Sequence, residues 1–302
     1  MFKSKNSMSR ALVRRETTAG YLFLLPSLFF FVTFVLYPMF LCIYTSFFDS
    51  NMGKNAVDVF VGLGNYKELF QDKLFLGALK NTVIIVVVAV PTVCAFSLWV
   101  ATAIYDMKPA LTSAFRCIFY LPVVTGSVAV TVVWKWMYNS RYGVFNYLFK
   151  SLGIIDQNIN WLGDVRFALW CIILILFTTS VGQPIVLYVS ALGNVDHSLV
   201  EAAQVDGANR RQVFWKIKWA QIMPTTLYIL IITTINSFQC FALIQLLTSG
   251  GPTHSTDTIM YYIYYTAFKL YRYGYGNAMG VVLMIIIAVL SAVQFKLGQQ
   301  SD

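Results

Sequence analysis

Two groups of polar side chains interrupt long apolar stretches of this 302-residue sequence. Polar groups within such stretches are costly to bury and tend to be functional in membrane proteins. Hydroxyl and amide groups offer the donors and acceptors that the hydroxyl groups of a sugar need. The same groups can instead hydrogen-bond between helices and stabilise packing, and the sequence leaves both interpretations open. The first group is Thr178, Thr179, Ser180 and Gln183, beside Gly182 and Pro184, and the second is Thr233, Thr234, Asn236, Ser237 and Gln239.

The sequence contains none of the common motifs for nucleotide, nucleophile or zinc chemistry. The P-loop, the Gly-x-Ser-x-Gly pattern and the His-Glu-x-x-His pattern are all absent. Gly250-Gly251-Pro252 lacks the lysine of a P-loop and is typical of a turn. His197 and His254 fall in different loops, which argues against a shared metal. We therefore predict that the chain is not an enzyme and holds no cofactor of its own.

A polar stretch at residues 201–214 lies between two apolar ones and has a helical pattern. Gly207 costs about 1 kcal/mol relative to alanine inside a helix, so it predicts a sharp bend between two short helices. Asp206 and Arg210 are spaced to form a weak surface ion pair. The predicted apolar face is Leu199, Ala202, Ala203, Val205, Val213, Phe214 and Ile217, and the predicted charged face is Glu201, Asp206, Arg210, Arg211, Lys216 and Lys218.

Two surroundings suit this bent element. One is the lipid interface, where amphipathic helices lie with Lys and Arg on the polar face. The other is a soluble protein partner on the membrane surface. The acids Glu201 and Asp206 flank the bend, and acids there favour a protein partner over anionic lipid.

Long apolar elements must position these residues. The chain is 58% hydrophobic and 12% charged, whereas a soluble domain carries roughly 25% charged residues, so lipid is the expected solvent. A span needs about 20 apolar residues, and continuous apolar runs favour helices over a barrel. We predict an all-α membrane protein with six spans: Tyr21–Phe48, Thr82–Tyr105, Cys117–Tyr138, Phe167–Leu192, Ile222–Leu247 and Ala278–Leu297. The five cysteines lie in or beside these runs, which is typical of apolar packing residues: Cys42, Cys94, Cys117, Cys171 and Cys240.

The distribution of charge predicts the orientation in the membrane. A basic tail at residues 1–20 places the N-terminus in the cytoplasm, and six spans return the C-terminal tail, 298–302, to the same side. The first apolar run is too long for the core of a signal peptide, so we predict that it is retained. One membrane domain, 21–297, contains a cytoplasmic loop at 193–221. The connections include a short loop at 106–116 and an amphipathic helix at 66–75. The net charge of +9 favours anionic lipid over nucleic acid.

The polar stretch resembles the EAA loop of the permease subunits of binding-protein-dependent ABC importers. The family pattern is Glu-Ala-Ala, three residues, Gly, nine residues and Ile-x-Leu-Pro. Here it is matched by Glu201-Ala202-Ala203, Gly207 and Ile217. The Leu-Pro that usually follows is replaced by Trp219-Ala220, which affects how the element exits into the next span.

Further matches resemble the sugar-importer branch, of the maltose and glycerol-phosphate permease type, and extend over about residues 20–297. They are Leu63-Gly64-Asn65-Tyr66 with Asn81-Thr82, Leu121-Pro122, Trp134 and Trp136 with Gly143 and Asn146, Leu247-Thr248-Ser249-Gly250-Gly251-Pro252, and Tyr273-Gly274-Tyr275-Gly276-Asn277-Ala278-Met279. The resemblance implies the type I ABC importer permease fold, with six helices and a cytoplasmic coupling-helix loop.

The resemblance also implies partners and roles. The partners are a second, homologous permease, a dimer of ATP-binding subunits that holds ATP and magnesium, and an extracytoplasmic binding protein that delivers a carbohydrate. The location is the plasma membrane of a prokaryote, with contacts to membrane lipid. The residues implied to couple to the ATPase are Glu201, Ala202, Ala203, Asp206, Gly207 and Ala208. Those implied to bind solute are Thr233, Ser237, Gln239 and, more loosely, Gln183, and Asn236 of the same polar group joins them.

Three alternatives predict different residues. An ion-coupled secondary transporter needs a carboxylate in the middle of a span, and the six predicted spans contain none. A membrane enzyme needs a catalytic cluster, and a scaffold needs no polar groups in adjacent spans. No Arg or Lys lies within the two polar groups, so a neutral di- or oligosaccharide is expected. The aromatic group of Tyr261, Tyr262, Tyr264, Tyr265, Phe268 and Tyr271 is predicted to form an interfacial belt rather than a sugar-stacking surface.

Overall fold

The structure, a computed structural model, describes the backbone at residues 3–50 and 58–299 and the side chains at 16–50 and 58–298. The basic side chains predicted to anchor the N-terminal tail, and residues 300–302 of the predicted C-terminal tail, lie outside the described residues.

The N-terminal half begins with one long helical span. Helix α1 (Lys3–Phe31), a π-helical segment (Val32–Leu36) and α2 (Tyr37–Thr45) follow one another directly. Two short antiparallel strands come next, β1 (Phe48–Asp49) and β2 (Val59–Phe60), with Phe48 opposite Phe60. The helices that follow are α3 (Gly64–Gln71), α4 (Lys73–Tyr105), α5 (Pro109–Val124), α6 (Ser127–Met137) and α7 (Val144–Ser151).

The C-terminal half carries the polar groups and the predicted bend. Its first helices are α8 (Ala168–Ser180), α9 (Gly182–Gly193), α10 (His197–Val205) and α11 (Arg210–Val213). A π-helical segment (Phe214–Lys218) leads into α12 (Trp219–Phe238), followed by α13 (Ala242–Leu247). The chain continues through α14 (Ile259–Tyr264), a π-helical segment (Tyr265–Lys269) and α15 (Tyr273–Gln299).

Within the described residues, five helices are long and apolar enough to span a membrane, and the bent pair α5 and α6 makes a sixth if it is one span, which agrees with the predicted all-α membrane fold. They are Glu16–Thr45, Lys73–Tyr105, Ala168–Gly193, Arg210–Leu247 and Tyr273–Gly298. Four of them begin earlier than predicted: at Glu16 rather than Tyr21, at Lys73 rather than Thr82, at Arg210 rather than Ile222 and at Tyr273 rather than Ala278. Helix α4 starts at Lys73 because the Asp72 carboxylate accepts a hydrogen bond from Leu74 N and caps the helix.

The third predicted span, Cys117–Tyr138, is wrong as a single straight helix. Helices α5 and α6 are bent by 95° at the break between them. Thr125 and Gly126 take extended backbone angles there, so the helical hydrogen bonds stop and restart. The predicted loop at 106–116 is also shorter than expected. Pro109 starts α5, where the missing N–H of proline costs nothing.

The core of the bundle lies where α4, α9 and α12 meet. These helices bury Val93, Val100, Ala101, Ile104, Ile185, Tyr188, Val189, Leu192, Ile222 and Ile229 in one cluster. The first span contributes little to this core, since no residue in the most apolar 18-residue window of Glu16–Thr45 is buried. Helix α4 is therefore the central element against which the polar spans are positioned.

The residues of the Asn-Thr motif fasten the loop before α14. Asn81 Nδ2 donates to the carbonyls of Ser255 at 3.1 Å and Asp257 at 3.0 Å. Thr82 Oγ1 accepts from Ile259 N at 3.0 Å. All of these polar groups are inside the protein, where an unpaired donor or acceptor is costly. The motif thus has a structural role within this chain.

Asn146 organises the loop between α6 and α8. Its amide nitrogen donates to the carbonyls of Asn139, Ser140 and Ile159. Its oxygen accepts from Ile159 N and Trp161 Nε1, both at 3.0 Å. A single buried side chain therefore holds both sides of this loop.

The predicted aromatic belt is wrong for two of its members. Tyr261 and Tyr262 are each only 6% exposed and pack in the core. The hydroxyl of Tyr261 donates to the carbonyl of Ser249 at 2.8 Å. Phe268 and Tyr271 are exposed, as a belt requires.

Candidate solute groove and coupling element

Two helices present matching stripes of side chains along one groove. Thr112, Arg116, Tyr120 and Val123 recur at helical spacing on α5, and Gln183, Leu187, Ser190 and Asn194 recur on α9. Residues three and four apart lie on the same face of a helix. We name the surface between these stripes, with its continuation along α12, the α5–α9 groove.

The central cavity of the α5–α9 groove brings together three of the predicted solute-binding residues. Gln183, Thr233 and Asn236 line a volume of about 160 Å³. Thr233 is buried, whereas Gln183 and Asn236 are exposed to the cavity. Thr179 and Ser180 of the first polar group line it as well. Amide and hydroxyl groups from two spans therefore converge here.

The other two predicted solute-binding residues lie elsewhere. Gln239 lines an adjoining cavity of about 330 Å³, which shares Val123 and Thr179 with the central one. Ser237 is buried and lines neither cavity. Thr234, of the same polar group, accepts from Gln294 Nε2 at 2.9 Å. That bond joins α12 to α15, so for Thr234 the packing interpretation is correct.

Gly182 lets α5 and α9 approach closely. A Cβ atom there would meet the backbone of Phe119 and Tyr120 and the side chain of Val123 at 2.9 Å. The helix also breaks at this point, because α8 ends at Ser180 and α9 begins at Gly182. The carbonyl of Val181, at the break, accepts from a serine hydroxyl of α4. The break and the close approach together shape the wall of the α5–α9 groove.

Toward the C-terminal end of α9, the α5–α9 groove contains a residue that the sequence analysis did not single out. Arg116 and Tyr120 of α5 line a cavity of about 470 Å³ together with Gln183. Arg116 also lines the next cavity, of about 420 Å³, with Ser190 and Asn194. The expectation of a neutral sugar rests on the two polar groups, and Arg116 belongs to neither. The sequence shows the helical spacing of Thr112, Arg116 and Tyr120. It does not show that this face of α5 lies opposite α9.

The bend predicted at Gly207 is present, and its hydrogen bonds explain it. Gly207 has φ +82°, which glycine adopts without strain. Gly207 N donates to the carbonyl of Gln204, and Ala208 N donates to the carbonyl of Ala203 at 2.9 Å. These two bonds form the Schellman motif that ends many helices. The next helix starts at once, because Asn209 and Gln212 form a capping box.

Two details of the predicted element are wrong, and its predicted apolar face is only partly buried. The second arm is not a separate short helix, because α11 continues through the π-helical segment into the span Arg210–Leu247. The predicted apolar face is not uniformly covered: Val213 is buried, whereas Leu199 and Val205 are exposed, Val205 by 87%. The predicted ion pair is missing as well. Among the described ion pairs, Asp206 and Arg210 form none.

The α10 helix is anchored at its start and exposed along its length. Asp196 caps it by accepting from Ser198 N at 2.9 Å and from the serine hydroxyl at 2.7 Å. The hydrogen bonds from Ser198 hold the pKa of Asp196 below its usual value. Asp196 N in turn donates to Gln221 Oε1 of α12. Glu201, in the middle of α10, is exposed. Within the described residues, its carboxylate makes no hydrogen bond or ion pair.

A cavity of about 530 Å³ separates α10 and α11 from the end of α4. Its lining includes Tyr105, His197, Gln204, Arg210 and Lys218. Lys218 Nζ lies 5.3 Å from the centre of the Tyr105 ring, a cation–π contact across this space. The element therefore leaves open space on the side that faces the end of α4.

His254 and Asp257 form a close pair in the loop before α14. His254 Nδ1 lies 2.7 Å from Asp257 Oδ2. In the part of the chain that the structure describes, no three His, Cys, Asp or Glu residues are grouped as metal ligands. Burial raises the pKa of Asp257, against the opposing effect of the His254 hydrogen bond.

Comparison with known proteins identifies the family to which this architecture belongs. The family described as "Binding-protein-dependent transport system inner membrane component" matches residues 20–299. A probable ABC transporter permease protein, YesP of Bacillus subtilis, is 33% identical over 288 residues, covering 94% of this chain and 91% of that protein. The lactose transport system permease protein LacF of Rhizobium radiobacter is also 33% identical over 288 residues, covering 94% and 95%.

A solved structure shows the same fold. It is that of a bacterial ABC transporter involved in the import of the acidic polysaccharide alginate. The TM-score is 0.82 at 23% identity, over 97% of this chain and 99% of that one. Together with the match over nearly the whole sequence, this establishes that the chain belongs to the inner membrane components of binding-protein-dependent transport systems.

Proposed function

We propose that this chain is one of the two permease subunits of an ATP-driven importer that takes up a carbohydrate from an extracytoplasmic binding protein. Family membership excludes the ion-coupled secondary transporter considered as an alternative. Relatives named as lactose and multiple-sugar permeases support a carbohydrate as the solute. In this proposal a second, similar permease completes the path, and two ATP-binding subunits supply ATP hydrolysis with magnesium.

One observation carries the proposal: amides and hydroxyls from α9 and α12 converge on the central cavity of the α5–α9 groove. Gln183, Thr233 and Asn236 offer both donors and acceptors there. A sugar is recognised by such paired groups, since each of its hydroxyls can donate and accept. Gln239 lies in the adjoining cavity and extends the path along the same face. We propose these four as solute contacts, with Ser237 supporting them from behind.

The bent element around Gly207 is the proposed contact with the ATP-binding subunits. Glu201, Ala202 and Ala203 lie on the exposed helix α10, and Asp206 and Ala208 flank the glycine. The element joins α9 to α12, which both line the α5–α9 groove. Movement of α10 therefore tilts the two helices that carry the solute contacts. The cavity beside it leaves room for that movement.

A matched pair of glycine variants tests the coupling. Gly207 and Gly153 both have positive φ, +82° and +68°, and a Cβ atom meets nothing within 4 Å at either. The backbone strain of an aspartate is therefore similar at the two positions. We expect Gly207→Asp to insert in the membrane and to abolish uptake while ATP hydrolysis continues. Gly153→Asp, in the loop after α7, should transport normally.

The measurement is sugar uptake and ATP hydrolysis by the complete importer in proteoliposomes, with its binding protein added. Normal uptake by Gly207→Asp would refute the coupling role. Loss of uptake in both variants would show a general effect of strain and not of coupling. The complete importer should transport only with ATP, and this chain alone should not transport.

A further inference from the structure

Among the described residues that line the four adjoining cavities of the α5–α9 groove, Arg116 is the one that carries a charge. The central cavity and the adjoining cavity that contains Gln239 are lined by apolar, hydroxyl and amide side chains. The two cavities that contain Arg116 add this one arginine and, among the described residues, no carboxylate. A guanidinium stays charged at all physiological pH values. The α5–α9 groove therefore carries a fixed positive charge.

This charge is not neutralised within the described part of the chain. Arg116 Nε is buried and donates to no acceptor. The ion pairs that the structure describes all involve other residues. A structural arginine in an apolar setting is normally paired, because an isolated buried charge is costly. An arginine that lines a cavity and has no ion-pair partner among the described residues instead suits an anion that occupies the cavity.

Arg116 is within reach of the proposed sugar contacts. It shares a cavity with Gln183, and Gln183 also lines the central cavity with Thr233 and Asn236. Leu187 lines both cavities and forms their common floor. A solute held by the amides and hydroxyls of the central cavity thus extends toward the guanidinium.

We propose that Arg116 forms a subsite for a carboxylate and that the solute is an acidic carbohydrate, such as one with a uronic acid residue. The planar fork of a guanidinium matches the two oxygens of a carboxylate. Low polarity around the groove strengthens the attraction. The inference rests on the proposed function, since it assigns the class of sugar. The expectation of a neutral sugar rests on the two polar groups alone, whereas Arg116 lies on α5, in a part of the chain that was predicted as the loop 106–116.

The test uses the complete importer with its cognate binding protein. The binding protein is first titrated with two disaccharides that differ only by a uronic acid in place of a neutral sugar. Transport of the bound sugar is then measured for wild type, Arg116→Gln, Arg116→Lys and Lys108→Gln. Lys108 caps the same helix and is exposed, and it lines none of the four cavities, so it controls for loss of one charge.

We expect the binding protein to prefer the uronate. Arg116→Gln should raise the apparent KM for its transport about tenfold, while ATP hydrolysis stimulated by the binding protein is unchanged. Arg116→Lys should retain most of the transport, and Lys108→Gln all of it. A merely structural arginine would lower kcat and stimulated ATP hydrolysis together.

Preference for the neutral disaccharide would overturn the inference and leave the proposed function standing. An unchanged KM for the uronate in Arg116→Gln would also overturn it. Binding of neither disaccharide, nor of longer sugars of either class, would overturn the proposed function and this inference with it.

Discussion

At the scale of single residues, Asp72 joins the start of α4 to α14 and α15. Its carboxylate caps α4 through Leu74 N and accepts from the hydroxyls of Tyr262 at 2.7 Å and Tyr275 at 2.9 Å. Partial burial of Asp72 alone would raise its pKa, but these hydrogen bonds outweigh it and hold the pKa below its usual value. The charged form therefore stabilises the contact of α4 with α14 and α15.

Replacing Asp72 with asparagine tests this stabilisation. A hydrogen bond to a charged group is worth about 1.5–3 kcal/mol, so Asp72→Asn should lower the free energy of unfolding by about 2 kcal/mol at pH 7. Because the folded pKa is depressed, the wild-type advantage is present above the unfolded pKa of about 3.9 and is lost as the pH falls through the folded value. The free energy of unfolding in detergent, measured for wild type and Asp72→Asn at pH 7 and at pH 3, tests the loss of stability and its dependence on pH. Equal stability of wild type and Asp72→Asn at pH 7 would contradict the stabilising role of Asp72. A similar loss of stability in the exposed control Asp156→Asn would contradict it as well.

At the scale of elements, the packing of α5 on α9 depends on a glycine. Alanine normally improves a helix by about 1 kcal/mol relative to glycine. At Gly182 the added methyl would enter the backbone of α5, whereas at Gly77 of α4 it would meet nothing within 4 Å. The two positions thus separate helix propensity from helix contact.

The two alanine variants should differ in sign. Gly77→Ala should be neutral or stabilising. Gly182→Ala should destabilise by about 1–3 kcal/mol, the usual cost of overpacking, and slow uptake by widening the α5–α9 groove. Thermal unfolding and uptake in proteoliposomes measure the two effects. A stabilising Gly182→Ala would show that α5 moves away freely.

At the scale of the whole molecule, the groove and the bent element share two helices but lie at different depths. Helices α9 and α12 line the groove and are joined by α10 and α11. The basic tail predicts that this joint, with both termini, is in the cytoplasm. The loop at 139–166 then faces outward.

Cysteine labelling tests this orientation. Ser151 and Gln204 are both exposed, at the end of α7 and on α10. In a background whose five native cysteines are replaced by alanine, Ser151→Cys should react with a membrane-impermeant maleimide in intact cells. Gln204→Cys should react only after permeabilisation. The opposite result would invert the topology and remove α10 from the reach of cytoplasmic ATP-binding subunits.

The sequence by itself determined the membrane class, most of the spans and the bend at Gly207. Lipid demands long apolar runs, and a glycine followed by a capping residue stops one helix and starts the next. Asn81, Thr82 and Asn146 were visible as motif residues, although their structural role was not. Only the tertiary structure decided the 95° break of the third span, the burial of Tyr261 and Tyr262, and the placement of Arg116 beside Gln183. The reason is that a span is apolar toward lipid and toward protein alike, so its pattern does not reveal which face meets a neighbouring helix.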